Sequence, residues 1–182
     1  MSSYCDYCMS HPEDTFNTAY HDTEYGFPLK DDNLLFERLI LEINQAGLSW
    51  ITILKKAKHF RKAYHNFNIA KVAKYGEKDV TRLLNDPGII RNRLKVNAAI
   101  VNAQRTLQIQ KEHGSFANWL DSHHPLSREE WTKLFKKTFV FTGGEIVNEF
   151  LMSTGYLPGA HDESCHVYKK VASLRPAWMR RR

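Results

Sequence analysis

Three groups of residues in this 182-residue chain have types and spacings that chemistry could use. The first is a set of thiols and imidazoles at the two ends, Cys5 and His21 against His161 and Cys165. A His-x-x-x-Cys spacing brings both side chains to one metal if the segment is a helix or tight turn, and Cys₂His₂ is a common structural zinc set. The halves lie about 140 residues apart, so two unrelated pairs of polar residues stay open as the plainer reading. One metal on all four would tie the termini together and offset the entropy of closing a very long loop. The second group is Leu39-Ile40-Leu41-Glu42-Ile43-Asn44-Gln45-Ala46-Gly47-Leu48-Ser49-Trp50. At about 100° per residue, Glu42 falls beside Leu35 and Ala46, at the border of a helix's apolar face. Such a carboxylate is ordinarily a solvated edge residue. At the mouth of an apolar, Trp-lined pocket it would face a cationic ligand. Trp50 follows, and Phe16, Tyr20 and Tyr25 add rings. Aromatic walls with one acid suit a flipped nucleobase, which needs stacking on its faces and hydrogen bonds at its edge.

The third group is Leu83-Leu84-Asn85-Asp86-Pro87-Gly88-Ile89-Ile90-Arg91-Asn92-Arg93-Leu94-Lys95. A short helix ends in a Gly-containing turn, two apolar residues anchor it, and the next helix opens with Arg91, Arg93 and Lys95. Backbone N–H groups at such a turn, backed by cations, suit a phosphate oxygen. Taken alone, the same residues also describe an ordinary αα-hairpin with a solvated basic face.

The whole-chain composition narrows the field. Hydrophobic residues are 42% and charged residues 25%, which excludes disorder and fibrous repeats. The length gives one domain, residues 1–182, with a sizeable core. No apolar run approaches the roughly 20 residues that span a bilayer, and the start lacks a secretory pattern, so the expected location is cytoplasmic. The net charge of +6 favours a polyanionic partner. Arg175 and Arg180-Arg181-Arg182 read as a solvated terminus. No P-loop, dinucleotide-binding Gly-x-Gly-x-x-Gly turn, Gly-x-Ser-x-Gly elbow or His-Glu-x-x-His helix is present.

The elements that must position these groups are helices. Asp31-Asp32 caps one from about Asn33 to Ala46, stopped by Gly47, and a second runs from Ser49 to about His65. Short helices follow over Ile69–Tyr75 and Lys78–Leu84. A long one spans about Arg91 to Glu112 with Leu94, Ala98, Val101 and Leu107 inward, closed by Gly114. Ser115 caps Phe116–Ser122, a capping box at Ser127 and Glu130 opens a helix to about Lys137, and another runs from Glu145 to Ser153 with Gly155 at its end. Only Thr138-Phe139-Val140-Phe141 reads as a strand, and a buried linker fits it equally. The fold class is all-α.

Tyr20-His21-Asp22-Thr23-Glu24-Tyr25-Gly26 resembles the Tyr-His-Asp-x-Glu-Trp-Gly signature of the 3-methyladenine DNA glycosylase I family. Gln45-Ala46-Gly47-Leu48-Ser49-Trp50-Ile51-Thr52-Ile53-Leu54-Lys55-Lys56 is similar to its longest motif. Gly88-Ile89-Ile90-Arg91 with Arg93 and Lys95 matches its hairpin, and His161-x-x-x-Cys165 its ending. The resemblance covers nearly the whole chain. It implies a helix–hairpin–helix glycosylase-type fold, with the hairpin at about 78–112 and zinc-tied termini at about 1–25 and 156–170. It implies Glu42 as the base-recognising, catalytic carboxylate, Trp50 as the stacking ring and Tyr20 as a base-bonding hydroxyl. Phe16 then stands where the family usually has another tyrosine, and Tyr7 and Tyr25 where it has tryptophans. Gly47, Leu48 and Ser49 match the wedge that enters the gap left by a flipped nucleotide, with Gly88, Arg91, Arg93 and Lys95 on the DNA backbone. Cys5, His21, His161 and Cys165 match the ligands of one structural zinc. Cys8 competes with Cys5, which is preferred because Tyr7 keeps the motif's local pattern.

The implied reaction is hydrolysis of the N-glycosidic bond of an alkylated purine, 3-methyladenine, in duplex DNA by a monomer. The implied enzyme is monofunctional and leaves an abasic site. An N3-methylated adenine is cationic and its bond to the sugar already weak, so an ionised Glu42 would select and stabilise more than drive the departure. A noncatalytic, zinc-stabilised helix–hairpin–helix DNA-binding module is the alternative from another class. It has no need for Glu42 with Trp50 and Tyr20. A helical zinc hydrolase would need an open metal position with three protein ligands.

Overall fold

The computed structural model describes residues 3–180, and Arg181 and Arg182 lie outside them. Eleven α-helices are found among the described residues: α1 Tyr4–Ser10, α2 Thr15–Thr23, α3 Asp32–Gln45, α4 Trp50–Ala63, α5 Ile69–Val72, α6 Glu77–Leu84, α7 Arg93–His113, α8 Phe116–His123, α9 Arg128–Thr138, α10 Gly144–Ser153 and α11 Tyr168–Ser173. Local chemistry sets their ends. The Asp31 side chain accepts from Leu34 N–H, Asn68 from Lys71, Asn92 from Lys95 and Ser115 from Asn118, each satisfying a donor that the first helical turn leaves free. Ser127 and Glu130 form the expected reciprocal capping box. Gly47, at φ +82°, turns the chain between α3 and α4 in a conformation that glycine adopts freely.

α3 is the centre of the molecule. Every residue from Leu35 to Asn44 is buried, because α4, α7, α8 and α10 all pack against it. Leu35, Phe36, Leu39, Ile40 and Ile43 are wholly inside. Of the two readings left open for Glu42 at the border of the apolar face, the solvated edge is therefore ruled out: Glu42 is 4% exposed. Periodicity locates the most apolar face, but the number of neighbours decides whether the other faces see water.

The expected strand at 138–141 is absent. Thr138 ends α9, and the linker after it is held by Asn102 of α7, whose side-chain amide donates to Val140 O at 3.0 Å and accepts from Val140 N–H at 2.9 Å. One asparagine thus supplies the pair of bonds that a neighbouring strand would have made. Leu94 is another correction. Expected inward, it is 69% exposed on the first turn of α7. The short helices α1, α2 and α11 carry too little apolar periodicity to have been expected. At the C-terminal end Ala177 is buried and Trp178 N–H donates to Gly155 O, so the chain stays packed nearly to Arg180.

Lys95 departs most from its expected role. It is 6% exposed, and its Nζ donates at 2.8 Å both to Asn44 O and to Ala46 O, the final carbonyls of α3. An ammonium there satisfies acceptors that the helix cannot and complements the negative end of its dipole. Lys95 is an internal brace from the hairpin helix to the end of α3, and its charge is not presented to a phosphate. Lys95→Met keeps the aliphatic stem and removes both bonds, so it is expected to lower unfolding free energy by about 2–3 kcal/mol. Urea denaturation measures this, and an unchanged midpoint would show that the brace carries no weight.

Candidate base pocket and metal cluster

Four of the side chains expected to act together do meet. Tyr20 and Tyr25 come from α2 and the turn after it, Glu42 from α3 and Trp50 from the start of α4. With Tyr4, Gln45 and Glu149 they line one cavity of about 260 Å³, room for one small planar ring system. Tyr20 lies 5.2 Å from Trp50 and 5.6 Å from Tyr25, and Tyr4 lies 5.3 Å from Tyr25, by ring centroid. Most of the polar tips are fixed. Arg38 donates to the Tyr20 hydroxyl oxygen at 2.8 Å and pairs with Glu24 at 3.0 Å, Tyr4 donates to Asn17 Oδ1 at 2.8 Å, and Tyr25 donates to Glu149 Oε2 at 3.2 Å. The Tyr20 oxygen accepts from Arg38, and the Ser153 side chain is a second hydrogen-bonding neighbour of the hydroxyl.

Burial dominates the electrostatics. It pushes the Glu42 carboxyl up to about 8, with Arg38 opposing and Glu149 adding to the rise. Burial also raises Glu149, against the hydrogen bond from Tyr25. Tyr20 and Tyr25 are pushed well above the usual phenol range, again chiefly by burial, so both remain protonated donors. Burial therefore favours the protonated form of Glu42 in the open cavity, whereas the resemblance implied an ionised carboxylate.

Two of the expected aromatic residues do not line the cavity. Tyr7 is half-exposed, donates to Asp14 at 2.9 Å and stacks on His11, and Phe16 is exposed on α2. Tyr4, one helical turn before Tyr7, lines the cavity in their stead. Tyr4, Gln45 and Glu149 were missed. Recognising α1 would have put Tyr4 and Tyr7 on adjoining turns, and Gln45 follows Glu42 by three positions on α3. Nothing in the sequence marks Glu149, which reaches Glu42 only through the packing of α10 on α3.

The residues expected to meet DNA divide. Gly47, Leu48 and Ser49 form an exposed turn joining the helix of Glu42 to the helix of Trp50. The turn is braced: Leu48 N–H donates to Gln45 O at 2.7 Å, the Gln45 amide donates to Leu48 O at 2.9 Å, and Lys95 holds Ala46 O. Arg91 and Arg93 are exposed, with Arg93 in a loose 3.8 Å pair with Glu77. Gly88 has a packing role, since a Cβ there would meet the His59 side chain at 2.9 Å, and its N–H donates to Asp86 Oδ1 at 2.7 Å. Lys56 of α4 donates to Pro87 O at 2.9 Å, fixing the hairpin against the helix of Trp50.

Cys5, His21, His161 and Cys165 come together, all buried, with their ligand atoms within 4.8 Å of one another. His21 Nε2 lies 3.3 Å from Cys5 Sγ and 3.6 Å from Cys165 Sγ, and His161 Nδ1 lies 3.7 Å from both sulfurs. A tetrahedral metal at about 2.3 Å from sulfur and about 2.0 Å from nitrogen places such atoms about 3.6 Å apart. The donor set therefore fits a metal ion. The far ring nitrogens are engaged, His21 Nδ1 with Asp22 at 2.6 Å and His161 Nε2 with Tyr25 O at 2.7 Å, the outer contacts that fix a ligating imidazole. Cys8 is buried but not in the cluster, so Cys5 is the thiol that joins it.

A family model described as methyladenine glycosylase matches residues 10–133. The chain is 38% identical over 175 residues to DNA-3-methyladenine glycosylase 1 of Escherichia coli K12, covering 86% of this chain and 93% of that protein. It is 35% identical over 162 residues to the DNA-3-methyladenine glycosylase of Haemophilus influenzae, covering 79% and 88%. A structure of 3-methyladenine DNA glycosylase I from Staphylococcus aureus, solved for its recognition of 3-methyladenine, matches with a TM-score of 0.81 at 30% identity over 91% of this chain and 97% of that one. A Tyr-to-Phe variant of a 3-methyladenine DNA glycosylase I, in complex with 3-methyladenine, matches with a TM-score of 0.79 at 32% identity over 88% and 96%.

The buried carboxyl makes a prediction about pH. Glu42 rises from 4.5 to about 8 on folding, so its contribution to stability is fully present below pH 4.5 and is lost as pH rises through 8. Glu42→Gln removes that loss. The variant is expected to match the wild-type melting temperature at pH 5 and to exceed it by roughly a few degrees at pH 9. A constant difference across that range would show that Glu42 is not desolvated.

Proposed function

This chain belongs to the methyladenine glycosylase family, and on that premise we propose that it hydrolyses the N-glycosidic bond of 3-methyladenine in duplex DNA. The product is an abasic site, and the working unit is a monomer of one domain over residues 1–182. The observation that carries the reading is a titratable carboxyl, Glu42, buried in an aromatic cavity beside Arg38, which is already paired with Glu24.

An N3-methylated adenine carries positive charge, and that charge is what the cavity lacks. Its entry draws Glu42 into the ionised form, since an opposite charge at close range favours the anion. Trp50 stacks on the base, the Tyr20 proton meets an acceptor on its edge, and Glu42 accepts from its exocyclic amine. As the glycosidic bond lengthens, positive charge moves from the base to the sugar, and the Glu42 carboxylate stabilises it there. Unmodified adenine offers no cation, so its entry leaves Glu42 desolvated and unpaired. No lysine is among the residues that line the cavity, which supports simple hydrolysis without strand cleavage.

The exposed Gly47-Leu48-Ser49 turn is the proposed wedge, and its place between Glu42 and Trp50 in the chain sets it beside the cavity. Arg91 and Arg93 meet phosphates. Cys5, His21, His161 and Cys165 hold one zinc ion, which when bound supplies a cross-link between the termini. Four protein ligands complete a tetrahedron and leave no position for an activated water, so the metal is structural.

Incubation with methylated duplex DNA and chromatography of the freed bases tests the reaction. The wild type should release 3-methyladenine, Glu42→Gln should release it more slowly, and Glu42→Ala should nearly abolish release. Equal rates for all three would reduce Glu42 to a packing residue. Arg91→Ala should flatten the log–log salt dependence of DNA binding by about 0.9 per lost phosphate contact, whereas Lys95→Met should leave that slope alone. Elemental analysis should find one zinc per chain, retained by Cys8→Ser and lost from Cys5→Ser.

A further inference from the structure

The cavity holds a second carboxyl that the reaction above does not use. Glu149 lines it together with Glu42 and accepts from the Tyr25 hydroxyl at 3.2 Å. The charges around the pair are all accounted for. Arg38, on Glu42's own helix, is held by Glu24 and Tyr20. Arg128 of α9, near Glu149, is ion-paired with Glu145 of α10. Glu145 and Asn148 flank Glu149 on α10, and the other polar side chains lining the cavity are the neutral groups of Tyr4, Tyr20, Tyr25, Gln45 and Trp50, of which Tyr4 donates to Asn17 and Gln45 to Leu48 O. Among the described residues, no cation lines the cavity. Two carboxyl groups in one apolar, aromatic space without a cation of their own resist being ionised together.

We infer that Glu149 and Glu42 keep one proton between them in the open pocket and that a cationic base displaces it on entry, so that the site selects its substrate by positive charge. This rests on the glycosylase reading and deepens it. Burial raises both groups, in the direction the pairing requires. Glu149 is half-buried, which gives the proton a way to bulk water. The balance then closes over one turnover. The cation enters and one proton leaves. Cleavage returns the bonding electron pair to the base, which becomes neutral, and the water that adds to the sugar carbon gives up a proton to the carboxyl pair. A neutral base is no longer held by two anions, so discharge of the positive charge also aids its release. A neutral purine entering the pocket displaces no proton and gains no ion pair.

The test uses the whole protein and two small probes, 3,9-dimethyladeninium, a fixed cation, and 9-methyladenine, its neutral counterpart. Calorimetric titration at pH 7 in two buffers of different ionisation enthalpy counts the protons released. The wild type is expected to prefer the cation and to release close to one proton with it and none with the neutral probe. Glu149→Gln is expected to bind the cation about tenfold more weakly, to release less of a proton, and to show the acid limb of its base-release rate shifted down by about one pH unit. An enthalpy independent of buffer in the wild type, or no preference for the cation, would overturn the proposal even if Glu149→Gln fails to fold. Proton release and an acid limb unchanged in a folded Glu149→Gln would overturn it as well. The glycosylase reading is judged separately: a wild type that frees no base from methylated DNA sinks that reading, whereas one that frees 3-methyladenine without proton-linked cation binding sinks only the pair.

Discussion

Desolvation of one carboxyl group is the constraint around which the rest of the protein is arranged. Glu42 sits on a helix buried along ten consecutive residues, and ionising it there is costly unless a cation arrives. Under the proposed function that cost is a means of discrimination. A solvated carboxylate would attract cations weakly and indifferently, because water screens it. A buried one interacts strongly with the positive charge that enters its cavity and is penalised by anything that enters without one. The tyrosines follow the same logic. Burial keeps Tyr20 and Tyr25 protonated, so they present donors and ring faces without adding charge.

A cavity of this kind works only if the chain around it is stiff, and three contacts supply the stiffness. Lys95 joins the first turn of α7 to the last carbonyls of α3. Lys56 joins α4 to the hairpin carbonyl of Pro87. Gln45 closes the turn between α3 and α4 on itself. The hairpin, the exposed Gly47-Leu48-Ser49 turn and the helices of Glu42 and Trp50 are thus one mechanical unit. A surface gripping a phosphate backbone at Arg91 and Arg93 would be held at a fixed distance from the cavity, which is what positioning a flipped nucleotide requires.

A metal on the Cys5, His21, His161 and Cys165 cluster would do for the termini what the core cannot. α1, α2 and α11 are seven, nine and six residues long, too short to be stable helices alone. They also carry Tyr4, Tyr20 and the chain leading to Tyr25. The apolar cluster around the ligands is small, Cys5, Cys165, Val167 and Val171. A metal held across it would fix α2 and hence one wall of the cavity. The same His161 that belongs to the cluster holds Tyr25 O through its far nitrogen, so the metal centre and the aromatic wall share a residue.

Features that are local along the chain, or carried by long motifs, are legible without the fold. Caps at Asp31, Asn68, Ser115 and Ser127 and the stop at Gly47 depend on groups a few residues apart, so the main helices were legible to within a few residues, though the Asn92 cap of α7 was not. The long motifs gave the family, and with it Tyr20, Tyr25, Glu42 and Trp50 in one cavity and Cys5 with His21, His161 and Cys165 in one cluster. The environment of each side chain comes from the way the helices pack. Glu42 reads as a border residue until four helices close over α3. Lys95 reads as a phosphate contact until two carbonyls from the end of α3 meet it. Tyr7 and Tyr4 exchange places once α1 is seen to be a helix, and Asn102 replaces a strand that the residues at 138–141 had invited. Glu149 is invisible from sequence altogether, 107 positions from its partner. Burial and charge pairing depend on which surfaces meet across the fold, and the spacing of residues along one helix holds no record of them.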